Sequence, residues 1–308
     1  MAFTVNSNYA GKAAGFYISA ALKEATSLDH LTVLQNIKYK ENIQKVAGSS
    51  LVRNADCNFT NHGTLALTES ILEPKNLQIN MQTCKDQLLQ SWEAETMRAG
   101  AMNNNSPKFE DYVISYFTQH IADAVESSVW SGTGSGGGAV NGEFNGFLTA
   151  TVGAFAVNGN VVQTNNTGGA GTAYTAANII SNLQTIAAAI PSTVYGKEDL
   201  RIYMNWKTYR LYVSAISALG YVNMYSMNND YEATFEGIQL AVVYGMPDDK
   251  LVAAQKSNLF FGTDLLSDTT QVKMLDMSPL DGSENLRFVA KYSSGVQVGM
   301  GAEVVQQD

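Results

Sequence analysis

The residue patterns that could carry chemistry are few, and each lacks the companions its chemistry requires. Gly132, Gly134 and Gly137 match the GxGxxG spacing. Dinucleotide binding needs that run between a strand and a helix, because the helix-terminal N–H groups hold the pyrophosphate. Here a helical pattern comes before the glycines and a loop after them, and no GKS or GKT run provides a phosphate-binding lysine. His30, His62 and His120 are scattered, and none stands within four residues of another histidine or of Cys57 or Cys84. A metal centre needs three or four convergent ligands, which this spacing does not offer. Asp248 and Asp249 follow Met246–Pro247 and read as a turn. Asp264 and Asp268 lack the alternating oxygen ligands and the glycine of a calcium loop. GxSxG, HExxH and CxxC runs do not occur. These residues define no catalytic, cofactor-binding or metal site, and the chain is expected not to be an enzyme.

Tyr203, Trp206, Tyr209, Tyr212, Tyr221, Tyr225 and Tyr231 crowd one region, with only Arg201, Lys207 and Arg210 nearby. Single-stranded nucleic acid would need more interleaved cations, so this group reads as core packing and subunit contact. Charged residues make up 15% of the 308, and the net charge is −9. Soluble domains ordinarily carry about 25% charge, and a chain that buries its surface against copies of itself needs less. The densest basic spot is Lys38–Tyr39–Lys40, too small a face for phosphate neutralisation. An acidic wall could still enclose nucleic acid without adhering to it. The two cysteines are 27 positions apart and read as free thiols of a reducing cytoplasm. The start has no signal-peptide pattern, and no apolar run approaches the ~18 residues of a membrane span. Synthesis and assembly in a cytoplasm are expected.

The elements that would position these residues are mixed. Residues 1–45 are polar and loosely helical, with a patchy stripe of Ala13, Phe16, Tyr17, Ala20, Ala21 and Leu28. This reads as an arm that leans on something else. Deleting residues 1–30 is expected to leave a folded body that fails to assemble properly. Residues 46–83 read as an extended, hairpin-like excursion, with Leu65 and Leu67, then Leu77, Ile79 and Met81, in period-2 alternation. Cys84 to Arg98 starts helical. The clearest periodicity follows: Phe109, Val113, Tyr116, Phe117, Ile121, Ala124, Val125 and Val129 predict a helix over 107–130, stopped by Gly132. Beyond a glycine-rich exit, Thr175 caps a helix ended by Pro191, and Asn205 caps another after the strand Leu200–Met204. Strands follow at Ile238–Tyr244, Leu251–Ala254 and Leu259–Phe261. Last comes a hairpin of Leu286–Tyr292 and Val296–Val304 turned at Ser293–Gly295. The irregular mixture predicts an α+β fold.

Three stretches carry a resemblance to a known family: HIADAVESSVWSGTGSGGGAVNGEFNGFL, LRIYMNWKTYRLYVSAI and RFVAKYSSGVQVGMGAEVV. They resemble the major capsid proteins of tailed bacteriophages with the HK97-type fold, and the likeness runs over nearly the whole chain. The resemblance implies an N-terminal arm at 1–45, an extended loop at 46–83, and a peripheral domain at 84–140 with its spine helix at 107–130. It further implies an axial domain at 141–257 and returning peripheral strands at 258–308. The implied function is self-assembly, as hexamers and pentamers, into an icosahedral shell enclosing double-stranded DNA without sequence-specific binding. Implied partners are a portal protein, a separate scaffolding protein, decoration proteins and the packaged DNA, with no membrane. The implied location is the virion, assembled in the bacterial cytoplasm. Numbering from Met1 without a coiled-coil prelude leads us to expect no fused scaffolding segment. Encapsulin-type nanocompartment shells share the fold and are the alternative. A small-molecule-binding enzyme is the alternative of another class, disfavoured by the missing site chemistry.

Overall fold

The computed structural model describes residues 26–49, 52–55, 57, 62–84, 107–135, 143–149, 151–158, 160–166, 169, 171–219, 233–264 and 271–307. For 107–118 the description is of the backbone alone. Two sheets and one long helix organise these residues, and an α+β fold results.

The six-stranded sheet contains β5 (Val162–Thr164), β6 (Leu200–Met204), β7 (Thr234–Phe235), β8 (Ile238–Val242), β9 (Leu251–Gln255) and β13 (Val305–Gln307), in the order β5-β13-β9-β6-β8-β7. Its central strands are apolar on both faces, as a sheet covered on both sides requires. Leu200, Ile202, Met204, Leu240, Leu251, Ala253 and Val305 point to one core. Tyr203, Ala241, Val243, Val252, Ala254 and Val304 point to the other. The first core is closed by α3 (Ile179–Ala189) and α4 (Trp206–Ala218). In α3 the buried residues Ile179, Asn182, Leu183, Ile186 and Ala187 recur at helical spacing. Asn205 caps α4 as the sequence predicts, its Oδ1 accepting from Thr208 N at 2.8 Å. The other cap differs: Asn178, not Thr175, precedes α3. Asn178 Oδ1 accepts from Thr175 N at 2.7 Å, making 175–178 a turn ahead of the helix.

The second core lies between the inner face of that sheet, helix α1 (Pro107–Ser131) and a five-stranded sheet. The latter holds β1 (Thr32–Leu34), β4 (Lys75–Cys84), β10 (Leu259–Thr263), β11 (Gln271–Asp276) and β12 (Asn285–Val298). At 25 residues, α1 is roughly 37 Å long, close to the predicted helix. The described residues also include the short helices α2 (Ala154–Asn158) and α5 (Ser278–Asp281).

Three strand assignments depart from the sequence reading. The terminal hairpin does not exist. Residues 285–298 form one strand, and Ser293–Gly295 mark a change of partner. β12 pairs with β4 and β11 over 286–291, then with β10 over 294–298. Ser293 and Ser294 are buried there, and a Cβ on Gly295 would lie 3.0 Å from the backbone of Glu73 and Pro74. Small residues fit that crossing, and composition alone cannot tell it from a turn. Likewise, residues 41–45 are not helical. They begin β2 (Glu41–Ser49), which pairs antiparallel with β3 (Thr64–Leu72) in a separate two-stranded ribbon. The alternation at Leu77, Ile79 and Met81 does mark a strand, β4, but its partner is β12 and not β3.

Candidate functional site

Two features of this fold carry unusual local chemistry, and the first is the junction where α1 meets both sheets. Glu126 on α1 is fully buried. Its Oε1 accepts from Ser27 Oγ at 2.7 Å, Gly245 N at 2.9 Å and Thr26 Oγ1 at 3.4 Å, and its Oε2 accepts from Ser27 N at 3.0 Å. Trp130, one turn further on, donates its indole N–H to Ser27 Oγ at 2.6 Å. One carboxylate thus ties the helix to the entering chain at 26–27 and to the loop after β8. A buried carboxylate without such donors would be strongly unfavourable. Gly245 permits the approach, because a Cβ there would fall 1.8 Å from Glu126 O. The phenol of Tyr292 lies in the same core, and burial first, then the Glu143 carboxylate, push it up to about 12.

The end of α1 explains the quoted glycine-rich stretch. A helix leaves its last carbonyls unsatisfied. Here the returning segment supplies the donors: Gly146 N to Gly132 O at 2.8 Å, Phe147 N to Val129 O and Leu148 N to Trp130 O, both at 2.9 Å. The side chain of Thr149 also donates to Gly132 O. Gly132 and Gly146 allow the close crossing, since a Cβ on either would strike backbone atoms within 2.7 Å. Phe144 and Phe147 then fill the core beside Trp130. The GxGxxG glycines therefore serve a helix end, with Gly137 outside the described residues.

The second feature is the β2–β3 ribbon. Cross-strand pairs Val46–Leu67, Gly48–Leu65 and Asn42–Ile71 put Val46, Leu65, Leu67 and Ile71 on one face. Leu67 is 73% exposed and Leu65 62%. The root is held firmly, by contrast. Leu72 and Ile37 are buried against Gly262, and Glu73 bridges Lys75 at 2.6 Å and Lys40 at 3.0 Å. The Lys75 and Lys40 ammonium groups hold the Glu73 carboxyl below its ordinary value.

The remaining sequence candidates are dispersed. The His30 ring contacts Arg201 and stands edge-on to Tyr203, whose hydroxyl donates to His30 O at 2.8 Å. His120 is half-buried on α1, and His62 is exposed. Cys57 and Cys84 are free thiols. Asp248 and Asp249 lie in the turn the sequence predicts, with Lys207 against both and Asp249 accepting from Tyr174 N. Asp264 pairs with Lys38 at 2.7 Å, and Asp268 lies outside the described residues. Among the described residues no three His, Cys, Asp or Glu side chains converge as a metal site, and no helix is long and apolar enough to cross a membrane. Sequence reasoning overlooked Glu126, although its place between Ala122 and Trp130, four positions to either side, sets a charge on the apolar stripe of α1. Ser27 is fully buried and Leu28 packs on the core, so a deletion of 1–30 would cut into the body.

No protein-family model matches the sequence, and no curated protein matches it. Solved structures match over nearly the full length. A structure from Mycobacterium phage Che8 is 10% identical, with TM-score 0.61, and the match covers 99% of this chain and 98% of that one. The capsid of the cyanophage P-SCSP1u is 13% identical, with TM-score 0.57 and coverage of 96% and 90%. The capsid of Myoviridae phage XM1 is 12% identical, with TM-score 0.57 and coverage of 96% and 94%. The chain therefore has the HK97-like fold of phage capsid structures, as the resemblance implied.

Proposed function

We propose that this protein is a shell-building subunit, the major capsid protein of a tailed phage, with no enzymatic activity. The observation that carries the reading is the ribbon: on one face of a separate two-stranded element, Val46, Leu65, Leu67 and Ile71 are exposed within their own chain. A ribbon of two strands is marginal in water and gains stability by lying on a third surface. A neighbouring copy supplies that surface, giving hexamers and pentamers that close into an icosahedral shell. The low charge content suits a chain that buries much of its exterior in such contacts. The net charge of −9 suits a container for double-stranded DNA that holds its contents without binding their sequence. A portal protein, a separate scaffolding protein and decoration proteins are the partners this role calls for, in a virion assembled in the bacterial cytoplasm.

Negative-stain electron microscopy of the protein, expressed alone and with its neighbouring genes, tests the proposal. Closed shells, tubes or five- and six-membered rings are expected. Small monodisperse particles under every condition would overturn it.

A further inference from the structure

We propose that the ribbon of one copy seats on the outer side of β12 in a second copy, with Glu69 paired to Arg287 or Lys291. The inference rests on the shell reading and names the surface that receives the ribbon. Register fixes the donor face. Gln44 opposite Glu69 and Val46 opposite Leu67 put Glu69 on the same side as Leu65, Leu67 and Ile71. Glu41 and Lys45 fall on the other side, so Glu69 is the one charge on this apolar face of β2 and β3.

The receiving face is the side of β12 turned from the core. Leu286, Phe288 and Tyr292 are buried, so Arg287, Val289 and Lys291 point outward. Gln82, Asn80 and Gln78 on β4 stand opposite these three, and Leu275 on β11, 43% exposed, stands beside Arg287. Arg287 is held in place, its Nε donating to Gln82 Oε1 at 2.9 Å. Among the described residues, no carboxylate lies on these three rungs. The two faces match in spacing as well as charge, because alternate residues of any strand stand about 6.5 Å apart. Leu67 laid on Val289 therefore brings Glu69 to Lys291 or to Arg287, whichever way the ribbon runs. The partner is another copy, since Leu65, Leu67, Glu69, Arg287 and Lys291 are all exposed within one chain. Each copy then gives one ribbon and offers one sheet. A contact of this head-to-tail kind closes into rings when its rotation permits.

Charge reversal in the full chain tests it, with assembly followed by sedimentation and electron microscopy and folding by thermal unfolding. Glu69→Lys should raise the protein concentration needed for rings or shells about tenfold, and so should Arg287→Glu/Lys291→Glu. All three changes together should return it close to the wild-type value, because the pair is restored with its signs exchanged. Glu69→Lys that assembles like wild type overturns the seat and leaves the shell reading standing. A folded triple variant that assembles no better than Glu69→Lys does the same. Should the triple variant not fold, Glu69→Gln decides. Added salt should hinder wild-type assembly more than that of Glu69→Gln, and equal sensitivity is a refutation. A wild-type chain that never assembles removes the shell reading, and the seat with it.

Discussion

At the scale of residues, the most informative position is Glu126. Its carboxylate accepts from two backbone N–H groups and two hydroxyls, all drawn from segments distant in sequence. Glu126→Ala leaves the amides of Ser27 and Gly245 buried without an acceptor, and should destabilise the subunit by roughly 3–5 kcal/mol. Urea unfolding of the isolated chain measures this, and a loss under 1 kcal/mol would mean that the junction rests on apolar packing instead. Glu73 makes a different case, because its two lysine partners are at the surface. Its carboxyl is held below the ordinary value, so its contribution is fully present above the range in which a free glutamate titrates. That contribution is lost as pH falls through the depressed value. Glu73→Gln should therefore mimic acid at neutral pH, loosening the ribbon root while the sheets stay intact. Hydrogen exchange over 39–45 and 70–75 reads the effect, and unaltered protection there would remove Glu73 from the root. Glu126 was legible in principle as a charge on an apolar stripe. Its partners were not, since Thr26 and Ser27 lie 100 and 99 positions away.

At the scale of elements, local signals were read correctly where they were local. The spacing that predicts 107–130 matches α1, and Asn205 caps α4 through its own side chain. What failed was pairing. Ser293–Ser294–Gly295 has the composition of a turn, yet it sits inside β12, because partner exchange and close approach also select small residues. β2 and β3 are joined through residues 50–63, and β4 pairs with a strand more than two hundred positions later. Alternation says that a strand has two faces, and it does not say who lies beside it. The end of α1 offers a test at this scale. Gly146→Ala places a Cβ 2.6 Å from Ser128 O and 2.7 Å from Gly132 N, both backbone atoms that cannot rotate away. The variant should lose about 2–3 kcal/mol through displacement of the capping segment. Thermal unfolding measures it, and a wild-type Tm would show that the crossing has slack.

At the scale of the whole molecule, the division of labour is between a body with two cores and a ribbon with none. The double variant Leu65→Ser/Leu67→Ser changes residues that are 62% and 73% exposed. It should leave the subunit's stability within about 0.5 kcal/mol of wild type while abolishing closed shells. Sedimentation and electron microscopy separate the two effects, and normal shells from this variant would dismiss the ribbon as an assembly element. The β4–β12 ladder gives the arrangement a mechanical meaning. The ribbon leads through Pro74 directly into β4, whose ten residues pair one for one with β12, itself flanked by β11 and β10. Tension drawn along β4 by a neighbour gripping the ribbon would act in shear on all ten pairs at once, where a peeling force would open them singly. A lattice of such subunits, swollen from within, would spread its strain along strands running the length of the sheet and would yield only when a whole strand slips.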